Sequence, residues 1–588
     1  MTMITGNLDR RLFLRDLLSA GVLLLASDLV SAVSAIGPSD CCEELAAMPF
    51  EPSVFLGIEV SGAVRIVAHR SEVGSGSRTA LPRVLADELE ADWSRVFITQ
   101  AIGDESYGSQ DSEASRSIRQ FFDVMREIGA TARTMLVRAA AEQWEVPAHE
   151  CEARFHSVMH LKSGRKLGYG ALATAAARQP LPNKAELQLK LPSQWRYIGK
   201  DASSYDLERI CQGNAIFGID VRMDGMVYAV IQRPPVLGSF PAAIDASETL
   251  KVAGVLDCLA LDPIRYPYGS QALGGVAVIG RSTWHAIKGR RLLKIKWSSS
   301  PHQGYNSDEY RRKLGETVAA TGRVIRNKGD VDAEFSKAAK VVQRDYYVPH
   351  LAHATMETPA AVAHVQNNRV VIWASTQNPQ AVQEDIATLL GIGKHSVKCH
   401  VPLLGDGFGR KSYSDFALEA TILSKKVGKP VKVFWTREDD IRHDYYHPAS
   451  IVRIKAALDN GGFPRAWLQR AVFPPIASNY DANAEYGLDW ELGTGLTNEQ
   501  FAIPNYRAEN GPAVAHVRVG ILRSVSNIHN LFAVYSFVDE LAALAGRDSL
   551  EYLLGLIGSD RIETSASKQY PFETGRLRQV TEIVAEKS

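Results

Sequence analysis

Apolar residues along the chain follow two patterns, one of period two and one of helical period. Short runs rich in β-branched residues between Val54 and Val67 predict strands. The stretches RTALPRVLADELEADW and FFDVMREIGATARTMLVRAAAEQW have apolar residues at helical spacing and predict helices. The first third of the chain is therefore expected to be a layer of strands and helices.

The apolar pattern breaks at Arg178–Trp195, where RQPLPNKAELQLKLPSQW is rich in proline and has no clear period. We expect a domain boundary there. Over residues 197–297 short strands alternate with turns, with strands predicted at Val276–Ile279 and Leu292–Trp297 and a helix at Thr283–Lys288 between them. This part predicts a small α+β unit.

A strand, a glycine-rich turn and a helix are predicted around residue 405. Apolar residues alternate over Val397–Leu403 and follow helical period over Tyr413–Val427, and Val431–Thr436 is a further strand. The stretch LLGDGFGRK between strand and helix is therefore expected at a strand-to-helix turn. Free backbone N–H groups at the start of a helix would favour an anion there.

The three glycines of this turn, Gly405, Gly407 and Gly409, permit positive φ and close approach of another group. A dinucleotide-binding fingerprint and a phosphate-binding P-loop both need glycine where Arg410 stands, so both motifs are excluded. A plain tight turn is the alternative. Phe408 argues against it, because an exposed aromatic side chain in a turn usually packs on something.

Charge and cysteine content narrow the function classes. Lys and Arg total 66, as do Asp and Glu, so no overall charge indicates a nucleic-acid partner and any anion site must be local. The six cysteines lack the spacing of zinc or iron–sulfur ligands, so we expect no cluster in this chain. The adjacent Cys41 and Cys42 would allow a disulfide.

The N-terminus has the layout of a twin-arginine export signal over residues 1–35. Arg10 and Arg11 precede the apolar segment Leu17–Ala26, and the small-residue pattern Val33–Ala35 follows. A buried amphipathic first helix is the alternative. Export by this route would carry a folded protein, with any bulky cofactor already installed, into the periplasm.

Several segments together resemble one known family. They are SEVGSGSRTALPRVLADELEADWSRV, YYVPHLAHATMETPAAVAHV, WASTQNPQAVQEDIA, LLGDGFGRK, VKVFWTREDDIRHDYYHPAS and LRSVSNIHNLFAVYSFVDELA. Their order and spacing are similar to those of molybdopterin-binding large subunits of the xanthine dehydrogenase/aldehyde oxidase superfamily. The type is that of the isoquinoline 1-oxidoreductase beta-subunit, or periplasmic aldehyde dehydrogenase, in which the first segment is moved to the N-terminal side.

The resemblance implies an α+β fold, with a small hammerhead-like α/β domain and a large molybdenum-cofactor-binding domain. The implied divisions are the signal at 1–35, a rearranged cofactor-domain segment at 36–195, the hammerhead-like domain at 196–300 and the cofactor-binding domain at 301–588. Compared with the family pattern, the C-terminal part of the last domain is expected to be lacking.

The resemblance also implies the chemistry: oxidation of an aldehyde or an N-heterocycle, with water as the oxygen source. The implied cofactor is a molybdopterin-type molybdenum cofactor in its cytosine dinucleotide form. Electrons would pass to a small [2Fe–2S] subunit and often to a cytochrome c subunit, and a partner would associate the protein with the inner membrane. The alternatives are a degenerate, non-catalytic relative that serves as a binding or assembly subunit, and a plain periplasmic binding protein.

The resemblance assigns cofactor contacts to four short segments. They are Gly74, Ser75 and Gly76; Ser112, Ala114 and Ser115; Gly405, Asp406, Gly407, Phe408 and Gly409; and Arg523. Small residues would let backbone N–H groups reach dithiolene and phosphate oxygens, and the arginine would add planar, charge-assisted hydrogen bonds.

Some positions depart from the family pattern. Asp406 and Glu113 stand where the family has glycine, Ser75 where it has glutamine, and Ser526-Asn527 where it has Gly-His. A carboxylate in an anion-binding turn would repel the ligand by on the order of 1–4 kcal/mol. The family's catalytic glutamate, in a C-terminal GxGE segment, has no match, so no catalytic residue is assigned and the isolated chain is expected to be slow or inactive.

Other candidate residues are given structural roles. His156 and His160, like His443 and His447, have H-x-x-x-H spacing but no third ligand nearby, so no metal site is predicted. Glu357, in HATME, is not assigned as a substitute base.

Overall fold

A computed structural model of the chain describes residues 50–498, 500–564 and 571–588. The predicted export signal and the Cys41–Cys42 pair lie outside the described residues. Helices and strands are mixed along all of the described sequence, which confirms the predicted α+β class. Among the described helices, none is both long enough and apolar enough to cross a membrane.

Short strands and helices of mixed length follow one another up to residue 348. In chain order they are β1 (Phe50–Ser53), β2 (Leu56–Ile58), β3 (Val64–Ala68), α1 (Ser77–Leu89), β4 (Val96–Gln100), α2 (Arg116–Trp144), β5 (Cys151–Ala153), β6 (Ser157–His160), β7 (Lys166–Gly168), α3 (Tyr169–Ala176), α4 (Leu207–Cys211), β8 (Val227–Gln232), β9 (Pro241–Asp245), α5 (Ser247–Leu250), β10 (Val255–Leu261), β11 (Gly275–Gly280), α6 (Thr283–Leu292), β12 (Lys294–Trp297), α7 (Ser307–Ala319), β13 (Arg323–Lys328), α8 (Val331–Lys337) and β14 (Lys340–Val348).

Strands and helices continue in the same way after residue 348. They are β15 (Ala360–Gln366), β16 (Arg369–Ala374), α9 (Pro379–Leu390), β17 (Val397–His400), α10 (Asp415–Val427), β18 (Val431–Phe434), α11 (Arg437–Arg442), β19 (Ser450–Leu458), β20 (Pro464–Val472), α12 (Asp489–Leu492), β21 (Asn505–Gly511), α13 (Asn527–Ala545), α14 (Ser549–Ile557), β22 (Ile562–Glu563), β23 (Phe572–Glu573) and α15 (Thr574–Lys587).

The first part of the chain is the predicted layer of strands and helices. Strands β1 to β4 form one sheet in chain order, and α1 is the crossover between the parallel strands β3 and β4. Helix α2 buries Phe121, Met125, Ala132 and Met135 along one face, because these residues recur at helical spacing. Both helices predicted from the apolar pattern of this part are confirmed.

A seven-stranded sheet forms the centre of the molecule, in the order β10-β11-β8-β18-β15-β16-β17. It takes strands from both sides of the boundary predicted at residue 300, because β18 pairs in parallel with β8, with Val431 opposite Val227. Helices α9 and α10 contribute Ile386 and Phe416 to the core on this sheet. The predicted domain limits stay a prediction, and this sheet joins the second unit to the third.

A five-stranded sheet, β13-β21-β20-β19-β14, forms the second large layer. The buried side chains Phe537 and Leu541 of α13 pack in the same core as Trp467 of β20. The Phe537 and Trp467 rings meet edge to face, with centroids 5.2 Å apart. This helix follows Arg523 in the chain, so its packing fixes the C-terminal end of that predicted loop.

The predicted strand-to-helix turn differs from the structure in one respect. The strand ends at His400, and the glycines lead into a short 3₁₀ turn over 410–412, with α10 beginning only at Asp415. The glycines do lie between a strand and a helix, as predicted, but the free N–H groups at the start of α10 are not those of the glycine turn. Tyr413 interrupts the helical path with extended backbone (φ −90°, ψ 140°), and its ring stacks on Tyr445 at a centroid distance of 3.8 Å.

A buried ion pair joins the end of β8 to α10 within the central core. Arg233 donates from Nε to Glu419 Oε1 at 2.9 Å and from Nη2 to Glu419 Oε2 at 2.5 Å, and Trp435 Nε1 donates to the same carboxylate at 2.8 Å. Both charged side chains are fully buried. Because an unpaired buried charge is costly, each partner depends on the other.

The variant Glu419→Ala should lower the free energy of unfolding by about 3–5 kcal/mol, because it leaves the Arg233 charge buried without its main partner. Glu419→Gln, which keeps a hydrogen-bond acceptor, should lose less. Denaturant unfolding measures the change. The control is Glu316→Ala, which removes an exposed pair with Arg312 and should change the free energy by at most about 0.5 kcal/mol. Equal effects at both sites would contradict the prediction.

Candidate cofactor-binding site

All four predicted segments contain left-handed backbone within the segment or next to it. The positive φ angles are 84° at Gly74, 78° at Gly76, 51° at Ala114, 55° at Ser115, 69° at Asp406, 53° at Phe408, 105° at Gly409, 77° at Ser524 and 48° at Val525. A residue other than glycine in this region costs on the order of 1–3 kcal/mol. Val525 is the most unusual of them, because β-branched residues rarely adopt positive φ. The surrounding contacts must hold these segments in place.

The glycine loop and the Arg523 loop are in direct backbone contact. The Arg523 N–H donates to the Phe408 carbonyl oxygen at 2.7 Å. A Cβ atom at Gly409 would overlap the Ile521 carbonyl oxygen, so the approach of the two chain segments requires glycine there. The predicted site residues Gly405–Gly409 and Arg523, far apart in sequence, are therefore brought together.

Gln377, which the sequence interpretation did not assign to the site, connects the glycine loop to the Ser112 segment. Its Oε1 accepts from the Gly409 N–H at 2.9 Å, and its Nε2 donates to the Ser112 carbonyl oxygen at 3.1 Å. The Ser112 N–H in turn donates to the Gln377 carbonyl oxygen at 2.9 Å. A Cβ atom at Gly407 would overlap the Gln377 amide. Its position in TQNPQ, one of the resembling segments, was the available signal.

Glu72 connects the Gly74 segment to the glycine loop. Its carboxylate accepts from the N–H groups of Gly76 at 2.9 Å and Arg78 at 3.0 Å, and thereby caps the start of α1. Its carbonyl oxygen accepts from the Leu404 N–H at 3.2 Å. A Cβ atom at Gly74 would lie 3.7 Å from Asp406 Oδ1, so the two loops adjoin.

Ser75, Ala114 and Ser115 are exposed. No described contact joins their side chains to the glycine loop, whereas Ser112 reaches it through Gln377. The structure thus brings Gly74, Ser112, the glycine loop and Arg523 together, whereas Ser75, Ala114 and Ser115 are only their exposed neighbours in the chain.

The surface between these loops presents unpaired hydrogen-bond donors. Within the described part of the chain, the N–H groups of Asp406, Gly407 and Phe408 have no acceptor. The exposed Arg523 guanidinium also has no described partner. Consecutive N–H groups in backbone with alternating φ sign form a concavity that binds anions. The arrangement can hold an anionic ligand at this surface.

Carboxylates lie beside these donors. Asp406 is half-buried, and Glu113 accepts from Arg116 Nη2 at 2.9 Å. Burial, followed by the neighbouring Glu113 carboxylate, raises the pKa of Asp111 from 3.8 to about 7. Asp111 therefore keeps its proton into the neutral range, which reduces the negative charge next to the Ser112 segment.

Glu357 lies behind the glycine loop in a fully occupied position. Its carboxylate accepts from Lys411 Nζ at 2.7 Å, from the Ile219 N–H at 2.9 Å and from the Gly405 N–H at 3.1 Å. Burial lowers the pKa of Lys411, although the Glu357 charge opposes that shift. A carboxylate held this way supports the loop and is not free to accept a proton from a substrate.

A cavity of about 500 Å³ adjoins Gly405 and Glu357. Its lining is mostly apolar, with Arg437 as a further charged group. The rest of the lining consists of Phe217, Ile219, Met356, Thr358 and Phe434.

The two histidine pairs are dispersed into structural contacts. His156 precedes strand β6 and His160 is its last residue. They bond separately, to the Gly62 carbonyl oxygen and to Glu150, while His447 Nε2 lies 3.2 Å from His529 Nδ1. No cluster of three or more His, Cys, Asp or Glu side chains suited to a metal ion occurs among residues 50–498, 500–564 and 571–588.

The variant Gly409→Ala should destabilise the protein by at least about 2 kcal/mol more than Gly428→Ala, because only the first forces a backbone carbonyl to move. Both glycines have positive φ, 105° and 68°, and Gly428 has open space where its Cβ would be. The difference therefore isolates the contact with Ile521. Denaturant unfolding of both variants tests it, and equal losses would contradict the close approach.

The pH dependence of stability should contain a contribution from Asp111. Because its pKa is raised in the folded state, the protonated form stabilises the fold below pH 3.8, and this contribution is lost as the pH rises to about 7. In Asp111→Asn the free energy of unfolding should fall less over that range than in the wild type. Asp123→Asn, an exposed change on α2, should keep the wild-type slope; no difference between the two variants would contradict the prediction.

Two family models match the chain, both described as molybdopterin cofactor-binding domain. They cover residues 30–222 and 316–553, so between them they include all four segments of the site. The chain is similar to the beta-subunit of isoquinoline 1-oxidoreductase from Brevundimonas diminuta, with 29% identity over 94% of this chain and 75% of that protein. Among solved structures, the aldehyde oxidoreductase of Desulfovibrio gigas has the same fold, with a TM-score of 0.51 and 18% identity over 71% of this chain and 50% of that one.

A further relative establishes the family. The membrane-bound aldehyde dehydrogenase [pyrroloquinoline-quinone] of Gluconacetobacter polyoxogenes is 30% identical over 94% of this chain and 72% of its own length. The B-subunit of nicotinate dehydrogenase from Pseudomonas putida is 24% identical over 87% of this chain and 43% of its own length. The predicted resemblance is confirmed. The chain belongs to the molybdopterin-binding subunits of the xanthine dehydrogenase/aldehyde oxidoreductase superfamily.

Proposed function

We propose that this chain is the large subunit of a molybdenum hydroxylase that oxidises an aldehyde or an N-heterocycle, with water as the oxygen source. The observation that carries the proposal is the convergence of the four segments on one surface of unpaired N–H donors and Arg523. The names of the relatives support the substrate classes, since one is an aldehyde dehydrogenase and two are named for the N-heterocycles isoquinoline and nicotinate.

The residues of the surface fit an anionic pterin cofactor. Its phosphate oxygens and dithiolene sulfurs would accept hydrogen bonds from the Arg523 guanidinium and from the N–H groups of Asp406–Phe408. Gln377 would fix the loop that carries these N–H groups. When bound, the cofactor supplies the oxidation of the substrate carbon. Asp406 opposes binding by on the order of 1–4 kcal/mol, so the donors must outweigh its charge.

In this proposal the chain's own residues bind and orient the cofactor. The exposed Ser75, Ala114 and Ser115 would flank the far end of the cofactor, where its dinucleotide form, with cytosine as the base, would extend. Electrons would leave to a separate [2Fe–2S] subunit, in the periplasm if the N-terminal signal is used, and from there to a cytochrome c subunit that attaches the complex to the inner membrane. The relatives named as beta- and B-subunits support a complex of several chains.

The test is the molybdenum and pterin content of the full chain, purified from a host that makes the cofactor. The proposal expects both near one per chain in the wild type. Arg523→Met should reduce the content several-fold, and Asp406→Gly should raise it, because one loses a cationic donor and the other loses a repelling carboxylate. The matched control is Arg576→Met, an exposed arginine on α15 with no described partner, which should change nothing.

A wild-type chain that contains neither molybdenum nor pterin, with Asp406→Gly no better, would contradict the proposal. That result would favour a degenerate relative with a binding or assembly function, for which Asp406 and Glu113 in the donor surface are the motivating residues.

A further inference from the structure

A buried histidine, His353, lies next to both the glycine loop and the Arg523 loop. His353 is 5% exposed, and its side chain is fully buried. Its Nδ1 lies 2.9 Å from Asp444 Oδ2 and its Nε2 lies 3.0 Å from the Ile521 carbonyl oxygen. The His353 N–H also donates to Asp444 Oδ2, at 2.6 Å. One imidazole therefore connects a carboxylate to the loop that precedes Arg523.

Both ring nitrogens of His353 face acceptors. Burial would raise the pKa of Asp444, but the His353 and Arg410 charges outweigh burial and hold it below the ordinary value, so Asp444 is ionised. A carbonyl oxygen can only accept a hydrogen bond, so the 3.0 Å contact with Ile521 requires a proton on His353 Nε2. His156 provides the contrast: it accepts from the Asp92 N–H at 3.2 Å and bonds the Gly62 carbonyl at 2.8 Å, which suits a neutral ring.

The far side of Asp444 leads back to the glycine loop. Asp444 Oδ1 forms an ion pair with Arg410 Nε at 3.0 Å, and Arg410 follows Gly409 directly. Ile521, at the other end, supplies the carbonyl oxygen that occupies the space beside Gly409. His353 and Asp444 thus connect Arg410, next to the glycine loop, to Ile521, next to Arg523. The hydrogen bond from the Arg523 N–H to the Phe408 carbonyl oxygen is a second connection between the same two loops.

We propose that His353 is a positioning residue: by donating to the Ile521 carbonyl oxygen while bound to Asp444, it holds the Ile521–Arg523 loop against the glycine loop. It thereby directs the Arg523 guanidinium and the N–H groups of Asp406–Phe408 toward one ligand. The inference rests on the proposed function for the identity of that ligand. The positioning itself is a property of the chain without ligand.

The experiment compares His353→Gln with His156→Gln, since both remove a buried histidine with two partners. The first readout is hydrogen exchange of the Arg523 amide in cofactor-free protein. His353→Gln should make it about tenfold faster, the scale of one lost buried hydrogen bond, and His156→Gln should leave it unchanged. The second readout is molybdenum content, which should fall several-fold in His353→Gln alone.

A folded His353→Gln variant with wild-type exchange at Arg523 and wild-type molybdenum content would overturn the proposal. If that variant does not fold, the wild type decides through ¹⁵N spectra of its labelled histidines. A protonated Nε2 on His353 supports the proposal, and an Nε2 without a proton overturns it. A wild type without molybdenum would refute the proposed function, while the exchange result would still decide the positioning.

Discussion

The Ile521 carbonyl oxygen fills the space that a side chain at residue 409 would need. Two loops more than a hundred residues apart therefore meet backbone to backbone, with no side chain between them. That approach lets the Arg523 N–H reach the Phe408 carbonyl oxygen at 2.7 Å, beside the N–H groups of Asp406–Phe408 that have no acceptor among the described residues. The donor surface, and with it any anion site, depends on this contact.

The site has a buried side behind the loops, around Arg410, and an exposed side in front of them, at Arg523. Among the described residues, charged groups are paired on the buried side, whereas Arg523 is unpaired on the exposed side. Behind the loops, charges are paired inside the protein: Arg410 donates to both Asp415 oxygens at 2.9 Å, and Arg518 reaches the same carboxylate at 3.1 Å. Such pairs are costly to break, so they hold strained backbone that would otherwise relax. In front, donors stay unpaired among the described residues. The buried ion pairs thus stabilise the strained backbone of the loops, and that backbone presents the unpaired N–H donors.

Much of the layout could be predicted from the sequence, because helical period in α2 and alternation along β17 are local signals. The resemblance assigned Gly405–Gly409 and Arg523 to one site, and the structure brings these residues into contact. The 3₁₀ turn before α10 could not be predicted, because the Tyr413–Tyr445 stacking that interrupts the helix is a long-range contact. Gln377 and His353 act through partners far away in the chain, and periodicity carries no information about such partners.

The order of strands in the central sheet has a consequence for how the chain folds. Strand β18 lies between β8 and β15. One edge of β8, at Val227, therefore stays unpaired until Val431 of β18 has been synthesised and has paired with it. Pairing over such a sequence distance is slow, because a large loop must close before any contact repays its entropy. Most of the polypeptide is synthesised before the sheet can close. Until then the open edges of β8 and β15 are the surfaces most prone to aggregation, and the ones that a chaperone would need to shield.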